Sequence, residues 1–283
     1  MIATVNISFK TAGIVKTWLA GAVLTALLAS MPQWARAGVI TAFAGHVAER
    51  VAEHQAVKHI EGAIGSADKS HAPVPGLNAP LALPSGDGFL GCKSLFPRNT
   101  PIDTASVNAQ WRAVGLCSNH FAVLHSALSK TPLVVVERLN QKILSDAKGE
   151  ERTNGFYADP RLARGARAEL ADYKSSGYDR GHLANAADQP DQQSMVQSFA
   201  LSNMIPQDPF NNRKTWAKIE SDVRKFARRA QGEVFVFSGP IFRGQQRTIG
   251  PDRVWVPSHL FKLVYGEASG RSWAYILANT AKA

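Results

Sequence analysis

Between Arg152 and Glu220 the chain carries the residue types that phosphodiester hydrolysis requires. That reaction needs an activated water, a stabiliser for negative charge on the phosphorus centre, and help for the departing oxygen. His182 is the natural base, because imidazole titrates near neutrality and can accept a proton from water. Asn212 offers a neutral amide oxygen, a hard ligand suited to magnesium; next to Arg213 it could equally cap a helix. Glu220, eight positions later, can accept hydrogen bonds from metal-bound waters or pair with Arg224 at i+4. Arg152 and Arg180 present guanidinium forks matched to phosphate oxygens. Their competing roles are solvated charge near Glu150 and Glu151 for the first, and an ion pair with Asp179 for the second. Asp179 is read as organising its loop, and Asn203 as a further amide near the site or a structural one at a strand end.

Three elements must position these groups. Tyr178-Asp179-Arg180-Gly181-His182 reads as a short strand or loop carrying the base. A second strand is predicted near 199–205. A helix from about Arg213 follows, with Trp216, Ile219, Val223, Phe226 and Ala230 recurring at helical spacing on one buried face. A histidine from a strand and an asparagine and glutamate from a helix could then meet in one cleft.

The segments Asp179-Arg180-Gly181-His182, Leu201-Ser202-Asn203-Met204-Ile205-Pro206-Gln207 and Asn212 to Glu220 occur in that order, preceded by Arg152-Thr153-Asn154 and Asp159-Pro160. In this the chain resembles the DNA/RNA non-specific endonucleases, the sugar-non-specific nucleases of the ββα-metal (His-Me finger) class, from roughly Cys92 to Leu277. The resemblance implies an active site of that class, with DNA and RNA as substrates and 5′-phosphate products. It implies Mg2+ as cofactor, with Mn2+ also possible at a site made of one asparagine and water. It also implies that Asn212, and not Asn211, holds the cation, with Glu220 behind it acting through water. Arg152 is then the transition-state stabiliser, and Arg180 a second phosphate clamp. Members of the family usually continue past the last strand into a further helical segment, whereas this sequence ends at Ala283.

Around the site, strands are expected at Phe121–Ser126 and Leu133–Leu139 as a hairpin-like pair, then at 233–240, 254–257, 261–265 and 273–277. Strands on both sides of one well-marked helix predict an α+β domain on a mostly antiparallel sheet over 89–283. His125 alternates with apolar neighbours and reads as a strand histidine. Cys92 and Cys117, the two cysteines, predict one structural disulfide. Two arginine clusters, Arg161, Arg164 and Arg167 and then Arg224, Lys225, Arg228 and Arg229, are assigned to no site, although the first could follow a nucleic-acid backbone.

Residues 1–37 read as a secretory leader: Lys10 and Lys16, an apolar run from Trp18 to Ala29, then Ala35-Arg36-Ala37 before Gly38. An exported protein, periplasmic or extracellular, is the corresponding expectation. Residues 38–88 read as a helical appendage followed by a Pro/Gly/Ala-rich linker. The net charge of +10 favours a polyanionic partner through counterion release. No stable membrane partner is expected, and a protein inhibitor or a homodimer is compatible with the sequence. Competing readings are a non-catalytic nucleic-acid-binding protein on the same scaffold, a membrane-associated protein, and a hydrolase of other phosphodiesters.

Overall fold

The computed structural model describes residues 3–8, 88–104, 107 and 110–283. The expected appendage and linker lie outside them up to Gly88. β-Branched and aromatic runs form a seven-stranded sheet: β1 (Ala3–Ser8), β2 (Ala113–Cys117), β3 (Phe121–Ser126), β4 (Thr131–Leu139), β7 (Val234–Ile241), β10 (His259–Gly266) and β11 (Arg271–Ala278). Their order across the sheet is β1-β11-β10-β7-β4-β3-β2, and every pairing is antiparallel. Two small hairpins complete the β structure: β5 (Asp179–His182) with β6 (Met204–Gln207), and β8 (Arg247–Ile249) with β9 (Val254–Val256). The helices are α1 (Gln141–Asp146), α2 (Leu170–Tyr173), α3 (Gln192–Ser198) and α4 (Ala217–Ala227). The architecture is α+β with a mostly antiparallel sheet.

The central strands β3 and β7 are buried along their whole length because both faces of the sheet are covered. Successive residues of a strand point to opposite faces. Phe121 and Val123 of β3 therefore join one core while Ala122 and Leu124 join another, and Val234/Val236 and Phe235/Phe237 divide in the same way on β7. The first core is closed by Trp216 and by Ile219, Val223 and Ala227 of α4, together with Leu183 and Ile205 from the β5–β6 region. Burying each of these larger side chains is worth about 1.5–3 kcal/mol, so the active-site elements are also the lid of this core. The second core is closed by Phe89, Leu95 and Phe96, held to the end of β2 by the Cys92–Cys117 disulfide.

Several boundaries differ from the sequence reading. The second site strand is Met204–Gln207; before it Phe199 caps α3, Ala200 bridges to Tyr157, and Leu201–Asn203 form a 3-10 turn. All of Phe199–Ile205 is buried, so apolar character could not separate turn from strand. The helix starts four residues early, at Pro209, and runs through a π-helical segment, Asn211–Trp216, before α4. β2 and β8 are short and were not expected. Gly115 interrupts β2, where an added Cβ would stand 3.0 Å from the Gly88 carbonyl oxygen. β1 falls inside the segment read as a leader, and cleavage after Ala37 would remove this edge strand from β11.

Candidate active site

Arg152, Arg180, His182, Asn212 and Glu220 line one cleft of about 600 Å³, with Asp179 beside them. The strand pairing that builds it depends on a glycine. Gly181 lies opposite Ile205, and a Cβ there would come within 2.7 Å of the Cβ of Gln207. Because the chains approach so closely, His182 lies opposite Met204 at the end of the hairpin with its ring over the cleft. Asn203 holds the next turn: its Oδ1 accepts from Ala184 N at 2.9 Å, and its Nδ2 donates to Ala184 O at 2.9 Å and Ser198 O at 2.8 Å. Its amide is thus spent on the backbone just after His182, and Asn203 does not line the cleft.

The His182 ring meets Phe199 edge-on, centroids 4.8 Å apart, and lies 5.7 Å from Phe156. Burial and then the positive charge of Arg152 pull its pKa down to about 3, so the imidazole is neutral in ordinary buffers. Nε2 is enclosed and has no partner, which leaves Nδ1 as the ring nitrogen that faces the cleft. A neutral imidazole of this kind has a lone pair to offer to water.

The two asparagines at the helix start have separate tasks. Asn211 is fully buried: its Oδ1 accepts from Gln207 Nε2 at 2.7 Å and its Nδ2 donates to Ala278 O at 2.8 Å. Helix capping is done by Asp208, whose Oδ1 accepts from the backbone N–H of Phe210 at 2.9 Å and Asn211 at 3.0 Å. Asn212 is therefore free of both duties. Its Nδ2 donates to Asp179 Oδ2 at 2.9 Å, which directs its Oδ1 away from that carboxylate. Arg213 grips the same carboxylate through Nε at 2.8 Å and Nη2 at 2.7 Å. Partial burial acts to raise the Asp179 pKa, but the bonds from Arg213 and Asn212 outweigh it and hold it below the usual carboxylate range.

Glu220 does not pair with Arg224, which instead donates to Asp188 Oδ1 at 2.7 Å. Burial pushes the Glu220 carboxyl up to about 7 against the opposing charge of Lys262, and its Oε1 has no partner. An uncommitted amide oxygen and an orphaned buried carboxylate oxygen at one cleft suit a hard cation that keeps most of its water. No group of three or more His, Cys, Asp or Glu that could hold a metal occurs among the described residues, so the fit is to a mostly hydrated ion and not to a protein cage.

Arg180 and Arg152 are positioned by aromatic rings. Their Cζ atoms lie 4.3 Å from the Phe156 centroid and 5.2 Å from the Phe199 centroid respectively. Neither pairs with a carboxylate among the described residues, so Asp179 is not the partner of Arg180. Stacking fixes a guanidinium while leaving its edge donors available.

The structure removes the first arginine cluster from the surface. Arg161 is buried against Asp159, with Nη2 to Oδ2 at 2.6 Å, and Arg167 is buried on the carbonyls of Asp159 and Leu162 at 3.0 Å each. Only Arg164 of that trio is exposed. His125 is a buried strand residue with Nε2 2.9 Å from Ala166 O. Sequence reasoning missed the roles of Phe156 and Phe199, and of Lys262, buried on β10 behind the cleft.

Residues 99–282 match the family described as DNA/RNA non-specific endonuclease. The chain belongs to that family. Relatives include the mitochondrial Nuclease 1 of Schizosaccharomyces pombe, 38% identical over 156 residues covering 50% of this chain and 48% of that one. Human mitochondrial Endonuclease G is 35% identical over 161 residues, covering 53% and 54%. In the crystal structure of the EndoG/EndoGI complex, a chain 25% identical superposes with a TM-score of 0.54, covering 65% of this chain and 76% of that chain. The chain spans about half the length of the curated relatives it matches. These relatives are mitochondrial nucleases, which overturns the expectation of an exported, periplasmic or extracellular protein drawn from the leader-like residues 1–37. Members of this endonuclease family are metal-dependent, and no helix among the described residues is long and apolar enough to cross a membrane.

Proposed function

We propose that this protein is a Mg2+-dependent endonuclease that hydrolyses phosphodiester bonds in both DNA and RNA. The observation that carries the reading is the convergence of His182, Asn212, Glu220, Arg152 and Arg180 on one cleft. His182 takes a proton from water at Nδ1, and the resulting hydroxide attacks phosphorus. Arg180 and Arg152 bind the non-bridging oxygens, whose charge grows toward the transition state. The bond to the 3′ oxygen breaks, that oxygen takes a proton from water to become a hydroxyl, and the phosphate stays on the 5′ side. Asn212 and Glu220 would hold the cation, Asn212 by its amide oxygen and Glu220 through water. When bound, that ion supplies Lewis acidity to the departing oxygen. Mn2+ suits the same donors. Arginines that bind phosphate position the backbone without reading bases, so little sequence preference is expected.

The test is incubation of the full chain with circular plasmid DNA and, separately, with RNA, in Mg2+, in Mn2+ and in EDTA. His182→Ala runs alongside. Metal-dependent degradation of both polymers, lost in the variant, is the expected result. Salt-sensitive binding without cleavage would replace the reading with that of a nucleic-acid-binding protein.

A further inference from the structure

β10 buries alternate residues, Leu260, Lys262 and Val264, so a lysine occupies a core-facing position of the sheet. Lys262 is 2% exposed. A buried ammonium is costly unless it is paired, yet none of the ion pairs among the described residues includes Lys262. Its contacts are the cross-strand Ser238 and two groups next to the cleft residues. Nζ donates to Ser238 Oγ at 2.7 Å and approaches the Leu183 carbonyl, next to His182, at 3.5 Å. It also stands 4.6 Å from the Trp216 ring centroid. The indole N–H of Trp216 donates to the His182 carbonyl at 3.3 Å, and Glu220 lies four residues further along the same helix.

The charge of Lys262 opposes the burial of two buried carboxyls, Glu137 and Asp188, and of the half-buried Glu220. Asp188 has Arg224, and Glu137 accepts from Asn185 N at 3.1 Å. Glu220 Oε1 has no partner.

We propose that Lys262 is a positioning residue for the hydrolytic reaction: its buried ammonium ties the backbone beside His182 to the helix turn carrying Glu220. The inference rests on the nuclease reading above and extends it to a residue that does not line the cleft. Removing this cation alone leaves the neighbouring carboxyls less compensated, so some loss of stability is expected. A positioning role predicts in addition a loss of turnover and of metal use in the fully folded protein.

The experiment compares Lys262→Met, which keeps the stem and loses the charge, with Lys262→Arg and the wild type. Each is assayed for plasmid cleavage against DNA and Mg2+ concentration, and for melting temperature. Wild-type cleavage that depends on Mg2+ and on His182 secures the reading; its absence sinks that reading whatever the variants do. With the wild type active, Lys262→Met is expected to lose about 20-fold or more in kcat. Its half-saturating Mg2+ should rise several-fold while KM for DNA stays within twofold, and Lys262→Arg should recover part of the kcat. A Lys262→Met enzyme within twofold of wild type in both kcat and Mg2+ dependence overturns the proposal. So does a loss that only follows the folded fraction. Should Lys262→Met fail to fold, Ser238→Ala decides. That variant keeps the lysine and removes its anchor; a several-fold fall in kcat supports the proposal, and unchanged kcat overturns it.

Discussion

Asp179 sets the direction of the Asn212 amide. Its Oδ2 accepts from Asn212 Nδ2 at 2.9 Å, so the nitrogen faces the carboxylate and the oxygen faces the other way. A neutral ligand is useful only by its oxygen, and a neighbouring acid selects which end is presented. Asp179→Ala should raise the half-saturating Mg2+ about tenfold or more in a nicking assay. Arg213→Ala, which leaves the Asp179–Asn212 bond in place, should change it little. Equal effects of the two substitutions would argue that Asp179 matters only through its ion pair.

His182→Ala should reduce kcat by about 10²–10⁴-fold, the range for loss of a general base, with the melting temperature nearly unchanged. The ring contributes edge contacts with Phe199 and Phe156, so His182→Phe is a useful companion. It keeps the aromatic packing, and any activity it retained would count against proton transfer by His182.

The acid limb of the pH profile should belong to Glu220 and not to His182. Burial and the Arg152 charge hold His182 near 3, so it stays neutral through mild acid. Burial raises Glu220 to about 7, so the carboxylate to which the proposed mechanism gives the waters of a cation is lost as pH falls through neutrality. Cation binding competes with that proton. The midpoint of kcat/KM against pH should therefore move to lower pH as Mg2+ is raised. A midpoint independent of Mg2+ would refute this assignment.

Asp159 couples the Arg152-to-Asp159 segment to the scaffold. Burial acts to raise its pKa, but Arg161 and Ser202 hold it at about 2. The folded value is thus below the roughly 3.9 of a free aspartate. Its contribution to stability is full above pH 4 and lost as pH falls through about 2. Asp159→Asn leaves Arg161 buried and unpaired, at a cost of about 3–5 kcal/mol. Urea unfolding of the variant and wild type at pH 7 and pH 3 should show a gap that narrows in acid.

The Cys92–Cys117 bond closes a loop over a separation of 25 residues on the sheet face away from the cleft. Reduction should lower stability by roughly 3 kcal/mol in the loop-entropy view. Cleavage at 25 °C should persist as long as the chain stays folded, which a thermal melt with and without reductant, paired with a plasmid assay, would check.

Much of the site was legible because its chemistry is local. Asp179 to His182 and Asn212 to Glu220 are each short segments on one element, and Trp216, Ile219 and Val223 mark a buried helix face by spacing alone. What was not legible depends on partners far along the chain. Arg167 reads as surface charge until the fold closes the carbonyls of Asp159 and Leu162 around it. Phe156 and Phe199 look like ordinary core residues until Arg180 and Arg152 are seen stacked on them. Lys262 was an available signal, since a charge at alternate spacing between Leu260 and Val264 marks a core-facing position. The short strands β2 and β8 give too few residues for a period to show.

The π-helical turn over Asn211–Trp216 also sets an angular phase. At about 100° per residue, eight positions of regular α-helix leave the two ends about 80° apart around the axis. A π turn closes its hydrogen bonds over five residues and so advances less per residue, which brings Asn212 and Glu220 closer to one azimuth. The local widening thus helps Asn212 and Glu220, eight positions apart, to line one cleft. Deleting one exposed residue of that turn, such as Lys214, would rewind it to regular pitch with seven positions between Asn212 and Glu220, about 700° of rotation. The π turn therefore acts as one extra residue absorbed while the two side chains stay near one azimuth.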